Sequence, residues 1–304
     1  QPAGASRAGD ERPEWRAAAW FDRLRYRFDQ GQSVSKRRAD HEGAIALNSH
    51  ITPEIRWDAS ALEADPVELA KAFNRSIHGL AKRLPAAARA RFVMALDSEL
   101  YGQLGEAAIA LSREQGDGLH PKHRILRYHD FFVERIGKGE RVIDLGSGVG
   151  ALAVSIAAKS GARVHGIDWT QRNVETSRMA AAAAGVEATC TFEVGDITLA
   201  RAEGRFDVVV LSNVLEHIDD RERRLSMWRD WYEPRRMLVR VPSFERDWRV
   251  PYKKELGVEW RCDPTHCTEY TQDQLKRELA DAGYRVTECQ AMWGEWWCQA
   301  ERRW

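Results

Sequence analysis

Val142-Ile143-Asp144-Leu145-Gly146-Ser147-Gly148-Val149-Gly150-Ala151 carries an apolar β-type run into a glycine-rich turn and on into an apolar helical run. Glycine lets a backbone turn tightly and brings a ligand against main-chain N–H groups at a helix N-terminus. Taken alone, Gly146-x-Gly148-x-x-Ala151 also fits a dinucleotide fingerprint, so the loop does not choose its ligand. Outward from it the chain alternates short β-type runs with helical ones. Strands are predicted at 141–145, 163–167, 188–194, 206–211 and 237–241, with a terminal pair at 284–292 and 296–300 joined around Gly294. Thr170 is placed to cap a helix ending at Gly185, and Asp219 one ending before Pro234. Thr271 with Gln274 forms a capping box on a helix that Gly283 closes. This alternation implies right-handed βαβ units and a parallel sheet.

Three features separate the ligands that such a loop can hold. Asp144 lies at the strand end, two residues before Gly146, where a carboxylate repels a pyrophosphate and attracts a cation. Asp168 ends the second strand, 22 residues after Gly146, in position to accept from ribose hydroxyls. Gly195-Asp196-Ile197 follows the third strand, where a carboxylate can take an adenine amino group and an Ile can lie on its face. Ribose, adenine and a positive centre together describe S-adenosylmethionine. On these residues the sequence resembles the class I S-adenosylmethionine-dependent methyltransferases. Asp144-x-Gly146-x-Gly148-x-Gly150 resembles that family's glycine motif, Asp168 its ribose-binding acid and Asp196 its adenine-binding acid. Phe206-Asp207-Val208-Val209-Val210 resembles its fourth strand. Ser212-Asn213-Val214-Leu215-Glu216-His217-Ile218 resembles the following segment, which faces the methyl donor.

The resemblance covers 119–304 and implies an α/β fold with a seven-stranded doubly wound sheet whose last strand is antiparallel. A mainly helical N-terminal domain precedes it. The resemblance also implies S-adenosyl-L-methionine as cofactor. The expected contacts are Asp144, Gly146, Ser147, Gly148, Gly150, Asp168, Trp169, Asp196, Ile197, Ser212 and Asn213.

Methyl transfer from a sulfonium is an in-line displacement, so the nucleophile must be held about 3 Å from the methyl carbon. A hydroxyl nucleophile must also lose its proton, whereas a thiol or amine needs less help. His217 follows the fourth strand at the carboxyl edge of the sheet, where ligands sit, and is a candidate base; His266 is the alternative. Packing of the cofactor loop is the competing reading of His217. The 243–270 connection is long enough to read as a lid. In it Asp247 and Asp263 are expected to grip substrate hydroxyls, with Trp248, Tyr252 and Trp260 stacking on a ring; a solvated loop is the plainer reading. His123 and Arg124, just before the first strand, are candidates for an anionic substrate group or the cofactor carboxylate. Cys262, His266 and Cys267 lack an obvious fourth zinc ligand, and a Mg²⁺ site drawn from Asp247, Asp263, Glu269 and Glu216 is the other option weighed; no metal is expected. Trp296 and Trp297 are adjacent on a strand and must face opposite ways.

The whole chain sets the outer bounds. It has 304 residues with 46 basic and 46 acidic side chains, so no net charge draws it to nucleic acid or anionic membranes. Hydrophobic residues at 43% supply a core, and no apolar run approaches the roughly 18 residues of a membrane span. Five cysteines, an odd and sparse count, suit a reducing cytoplasm. Eight of the twelve Trp lie from Trp228 onward, which marks a core or pocket there. Residues 1–14 read as disordered or tag-derived and 15–118 as the helical domain. Trp20, Leu24 and Phe28 share one helix face, 48–60 is a loop, and helices are predicted over 67–84 and 86–112. That domain is expected to dimerise the chain, deliver substrate, or both.

The function expected is O-methylation of a sugar or other hydroxyl-bearing metabolite or glycan in a cytoplasmic bacterial biosynthetic route. An O- or N-methyltransferase of an aromatic or other small metabolite is the alternative. A non-catalytic adenosyl-binding protein is the competing class. No nucleic-acid partner is expected.

Overall fold

The computed structural model describes residues 65–115, 121–199 and 201–303. The expectations for 1–14, for Trp20, Leu24 and Phe28, and for a loop at 48–60 lie outside the described residues. The chain forms two compact units, whose described parts are 65–89 with 109–115, and 90–108 with 121–199 and 201–303.

In the first unit α1 (Pro66–Ala81) starts where the Asp65 carboxylate accepts from the Val67 N–H at 3.1 Å, with Pro66 supplying a pre-set φ. Leu69, Phe73 and Ile77, four apart, form its half-buried stripe. α2 (Ala86–Gln115) contributes residues to both units.

The second unit is built on one sheet. Its strands are β1 (Arg141–Leu145), β2 (Arg163–Asp168), β3 (Cys190–Val194), β4 (Val208–Ser212), β5 (Arg236–Pro242), β6 (Tyr284–Met292) and β7 (Glu295–Arg302). They lie in the order β3-β2-β1-β4-β5-β7-β6. The first five pair in parallel, and β7 runs antiparallel to both β5 and β6. This is the seven-stranded sheet that the sequence implies. The third strand begins later than predicted because Cys190 N–H still bonds Val186 O in the preceding turn. The fourth begins at Val208 because the Asp207 side chain instead takes the Arg141 N–H.

The helices are α3 (Lys122–Leu126), α4 (His129–Val133), α5 (Ala151–Ser160), α6 (Gln171–Ala183), α7 (Arg221–Tyr232), α8 (Arg249–Glu255) and α9 (Gln272–Asp281). Strand alternation feeds two cores. Ile143, Leu145, Val209, Leu211, Met237 and Val239 pack against Leu225, Trp228 and Tyr232 of α7 and Leu275 and Leu279 of α9. Val142, Val208, Val210 and Leu238 pack against Phe131 and Phe132 of α4, Leu152 and Ile156 of α5 and Val174 of α6. Trp296 joins the first core and Trp297 the second, on opposite faces of β7. Cys289 and Cys298, opposite each other across the β6–β7 ladder, form a disulfide.

At α9 and α7 the caps depart from the sequence expectation. Thr271 Oγ1 accepts from Gln274 N–H, but the Gln274 side chain turns to Glu278 rather than closing the box. α7 starts after Asp220, whose carboxylate pairs with Arg224. Among the described residues, no helix is long and apolar enough to cross a membrane.

Candidate active site

Strand order reverses between β1 and β4, and the crevice beyond the carboxyl ends of such strands is where α/β sheets hold ligands. The loop that leaves β1 is fixed by two N–H groups, of Gly146 and Ser147, which both donate to Ile167 O at 2.9 Å. Gly146, Gly148 and Gly150 all have φ in the left-handed region. A Cβ on Gly146 would stand 2.8 Å from Val214, and one on Gly150 2.7 Å from Ser177. A Cβ on Gly148 would meet nothing within 4 Å. Packing therefore demands the outer glycines, while the middle one borders open space.

Asp168, at the end of β2, braces this loop. Its Oδ2 accepts from Gly148 N–H at 3.0 Å, and its Oδ1 accepts from Thr170 N–H at 2.9 Å and Asn173 Nδ2 at 3.0 Å. Thr170 stands at the N-cap of α6 as expected, but its hydroxyl makes no capping bond, and its own N–H is taken by Asp168. Asp144 is almost fully buried, and its Oδ2 has no hydrogen-bond partner. Burial, and then the neighbouring Asp168 charge, pushes its pKa up to about 7. A buried carboxylate oxygen without a donor favours a cation beside it. The expected adenosyl cofactor fits this arrangement: open space at Gly148, an unsatisfied carboxylate for its positive centre, and a second carboxylate with spare lone pairs for its ribose.

The other expected cofactor contacts ring the same edge. Gly195 N–H bonds Asp168 O at 3.0 Å, which brings the segment after β3 to β2. Asp196 is exposed, and its Oδ1 takes the Thr198 N–H and hydroxyl. Ile197 packs on the first core, and its carbonyl accepts from Trp228 Nε1. Trp169 is 63% exposed, leaving a large aromatic face at the cleft margin. Ser212 ends β4 and its hydroxyl accepts from Arg240, while Asn213 adopts a left-handed conformation with φ 57°.

A polar cluster follows β4. Leu215–His217 form a short 3₁₀ turn that points Glu216 inward. Glu216 is fully buried, and neither carboxylate oxygen receives a well-formed hydrogen bond, although its own N–H and the Asn213 side chain lie near. Burial raises its pKa to about 8, although its own backbone, Asn213 and Arg240 pull the other way. His217 lies edge to face with His266, ring centroids 4.7 Å apart. Burial, then the His266 charge, lowers the His217 pKa and keeps this ring neutral. Its Nδ1 is 3.1 Å from Thr265 Oγ1, whose hydroxyl donates to Asp263 Oδ1 at 2.7 Å. His266 Nδ1 is 3.2 Å from Glu269 Oε1. Arg240, a buried cation on β5, underpins the region through a two-pronged ion pair with Glu295 at 2.6 and 2.8 Å and stacks on Tyr128.

The 243–270 segment is cross-linked rather than loose. Ser243 bridges Tyr270, and Phe244 N–H bonds Tyr270 O. Arg246 pairs with the fully buried Glu269, which also accepts from Cys262 N–H. The expected substrate residues fall into three groups. Asp247 is held by Arg249, which keeps its pKa down at about 2, and Trp248 and Tyr252 lie nearby with their rings tilted and centroids 5.9 Å apart. Trp260 packs on Phe244 at 5.3 Å, under Lys254. Asp263 reaches the histidine cluster through Thr265. The carboxylates assigned to substrate hydroxyls are thus engaged within the chain. The side chains of His123 and Arg124 lie outside the described part of α3. Thr265 and Arg240 were not singled out in the sequence, and only the contacts they make identify them.

Residues 119–289 match the model of a methyltransferase domain. Over 99 residues the chain is 31% identical to norajmaline N-methyltransferase of Rauvolfia serpentina, covering 32% of this chain and 34% of that protein. Over 86 residues it is 40% identical to ubiquinone biosynthesis O-methyltransferase of Neisseria meningitidis serogroup C, covering 27% of this chain and 35% of that one. It therefore spans about a third of the length of these relatives. A crystal structure of a small RNA methyltransferase superposes with TM-score 0.50 at 15% identity, over 59% of this chain and 25% of that chain, a likeness of fold.

Proposed function

The chain belongs to the methyltransferase-domain family, and from that premise we propose that it transfers a methyl group from S-adenosylmethionine to a hydroxyl of a small metabolite or glycan. The observation that carries the cofactor is the buried, unpartnered Asp144 oxygen beside the open face of Gly148. Asp144 accepts the positive end, Asp168 the ribose, and Asp196 the adenine amino group; Trp169 and Ile197 flank the base. Ser147, Ser212 and Asn213 supply polar contacts along the same edge.

The cofactor supplies a methyl carbon activated by sulfonium. The acceptor hydroxyl would take that methyl group, with the sulfur as leaving group, and would give its proton to a base of this chain. Preference for a hydroxyl rests on the cluster after β4. A neutral His217 whose Nδ1–H is fixed by Thr265 presents Nε2 as a proton acceptor, which an amine or thiol acceptor needs less. His266, held likewise by Glu269, is the second candidate base. Aromatic side chains Trp248, Tyr252 and Trp260 would line a ring-bearing acceptor. Nitrogen as the acceptor atom is the second reading, since the curated relatives include both O- and N-methyltransferases.

The test is transfer of an isotope-labelled methyl group from S-adenosylmethionine into a small-molecule extract, read by mass spectrometry. A labelled ether is expected. A labelled amine would move the reading to nitrogen. Binding of S-adenosylmethionine without transfer to any extract would support an adenosyl-binding protein instead.

A further inference from the structure

We infer that Glu216, His217 and His266 form a binding site for one divalent transition-metal ion. Their ligand atoms all lie within 4.8 Å of one another. Around an ion at about 2.1 Å from each ligand, neighbouring ligands stand about 3–3.5 Å apart, so a small closing movement completes the site.

Three independent features point the same way. Glu216 is fully buried and neither carboxylate oxygen receives a well-formed hydrogen bond, an arrangement resolved by a proton or by a cation. Each imidazole has its Nδ1 committed to an oxygen, His217 to Thr265 and His266 to Glu269, which leaves Nε2 as the free lone pair. Metal-binding histidines are oriented in this way by a second hydrogen-bonded partner. Finally, Cys267 N–H and Thr268 N–H both donate to Glu216 O, so backbone contacts hold the turn bearing His266 against the one bearing Glu216 and His217.

The neighbouring set of Cys262, His266 and Glu269 also lies within that distance, but its chemistry is spent. Glu269 is neutralised by Arg246 and takes the Cys262 N–H. Glu269 therefore supports a ligand rather than acting as one.

Two imidazoles and one carboxylate suit Mn²⁺, Fe²⁺, Co²⁺ or Zn²⁺ better than Mg²⁺ or Ca²⁺, which take oxygen ligands. Three protein ligands leave positions open for an acceptor oxygen. That role rests on the methyl-transfer reading; the binding site does not. With an ion bound, His217 and His266 are ligands rather than bases.

The experiment is titration of the chelator-stripped full chain with Co²⁺, followed by visible absorption and calorimetry, with S-adenosylmethionine affinity measured on the same sample. One equivalent is expected, with ligand-field bands that Zn²⁺ displaces. Glu216→Gln and His217→Gln should each weaken Co²⁺ binding at least tenfold, while Cys262→Ser leaves it unchanged. Protein that takes up no Co²⁺ yet binds S-adenosylmethionine overturns the site and spares the methyl-transfer reading. Co²⁺ uptake without cofactor binding upholds the site and counts against that reading. Wild-type Co²⁺ affinity retained in both Glu216→Gln and His217→Gln overturns the site as well. The wild-type titration decides the matter should either variant fail to fold.

Discussion

His217 and His266 meet edge to face at 4.7 Å, and each ring is anchored at Nδ1 by a different oxygen. Thr265 is the anchor of the first, and behind it Asp263 fixes the direction of the hydroxyl proton. Thr265→Val keeps the shape and removes the bond. We expect turnover to fall about 10–100-fold, as for loss of a partner that orients a working histidine. Thr265→Ser should restore it, and S-adenosylmethionine affinity should not move. His217→Ala should cost more, about 10²–10⁴-fold in turnover. Full turnover in both Thr265→Val and His217→Ala would remove this ring from the reaction and shift attention to His266.

The glycines of the loop separate fold from ligand. Gly150→Ala forces a Cβ to 2.7 Å from Ser177 and 2.9 Å from Phe192, and should lower the melting temperature clearly. Gly148→Val meets open space, so its fold should carry mainly the left-handed strain of about 1–2 kcal/mol. Its cofactor affinity should collapse. Thermal melts paired with calorimetry check the contrast, and equal losses of affinity and stability in the two variants count against it.

Asp168→Ala removes three hydrogen bonds within the loop as well as the ribose contact. Stability should therefore drop together with affinity, the latter by about 1.5–3 kcal/mol, as for hydrogen bonds to a charged group. Unchanged affinity on calorimetry would free Asp168 from the cofactor and leave it as a brace.

Asp144 gives a pH signature. Its pKa, near 7, is higher in the folded chain than in the unfolded one, so the fold holds this proton more tightly. Its stabilising contribution is full below the ordinary carboxylate range and is lost as pH rises toward 7. A cationic ligand prefers the ionised form, so affinity should climb over the same interval, approaching about tenfold per pH unit below 7, and then level off. Calorimetry across this range measures it, with Asp144→Asn expected to flatten the profile. A flat wild-type profile detaches Asp144 from the cation.

Much of this arrangement is legible in the sequence because it rests on short-range rules. Val142 to Leu145 alternate into two cores, glycine spacing marks the turn, and Asp168 falls at a strand end whose register the apolar pattern sets. Trp296 and Trp297 had to part company on any strand. What the sequence hides is which charged side chains are already engaged. Asp247 and Asp263 look like free carboxylates until Arg249 and Thr265 are seen to hold them. Asp97 of α2 reaches Arg249 at 2.7 Å and Lys253 at 2.7 Å, a contact that no local pattern announces. Glu216 enters the sequence reading only within the segment after β4 and as one of four carboxylates weighed for Mg²⁺; burial without a well-formed hydrogen bond on either oxygen is what sets it apart.

The central claim is that the cleft beside Asp144 and Gly148 takes S-adenosylmethionine rather than a dinucleotide, the alternative that the glycine loop alone leaves open. Calorimetric titration of the full chain with S-adenosylmethionine and, in parallel, with NAD tests it most directly. The account predicts one equivalent of S-adenosylmethionine bound, lost in Gly148→Val, and no heat with NAD. Saturable NAD binding with none for S-adenosylmethionine would contradict it.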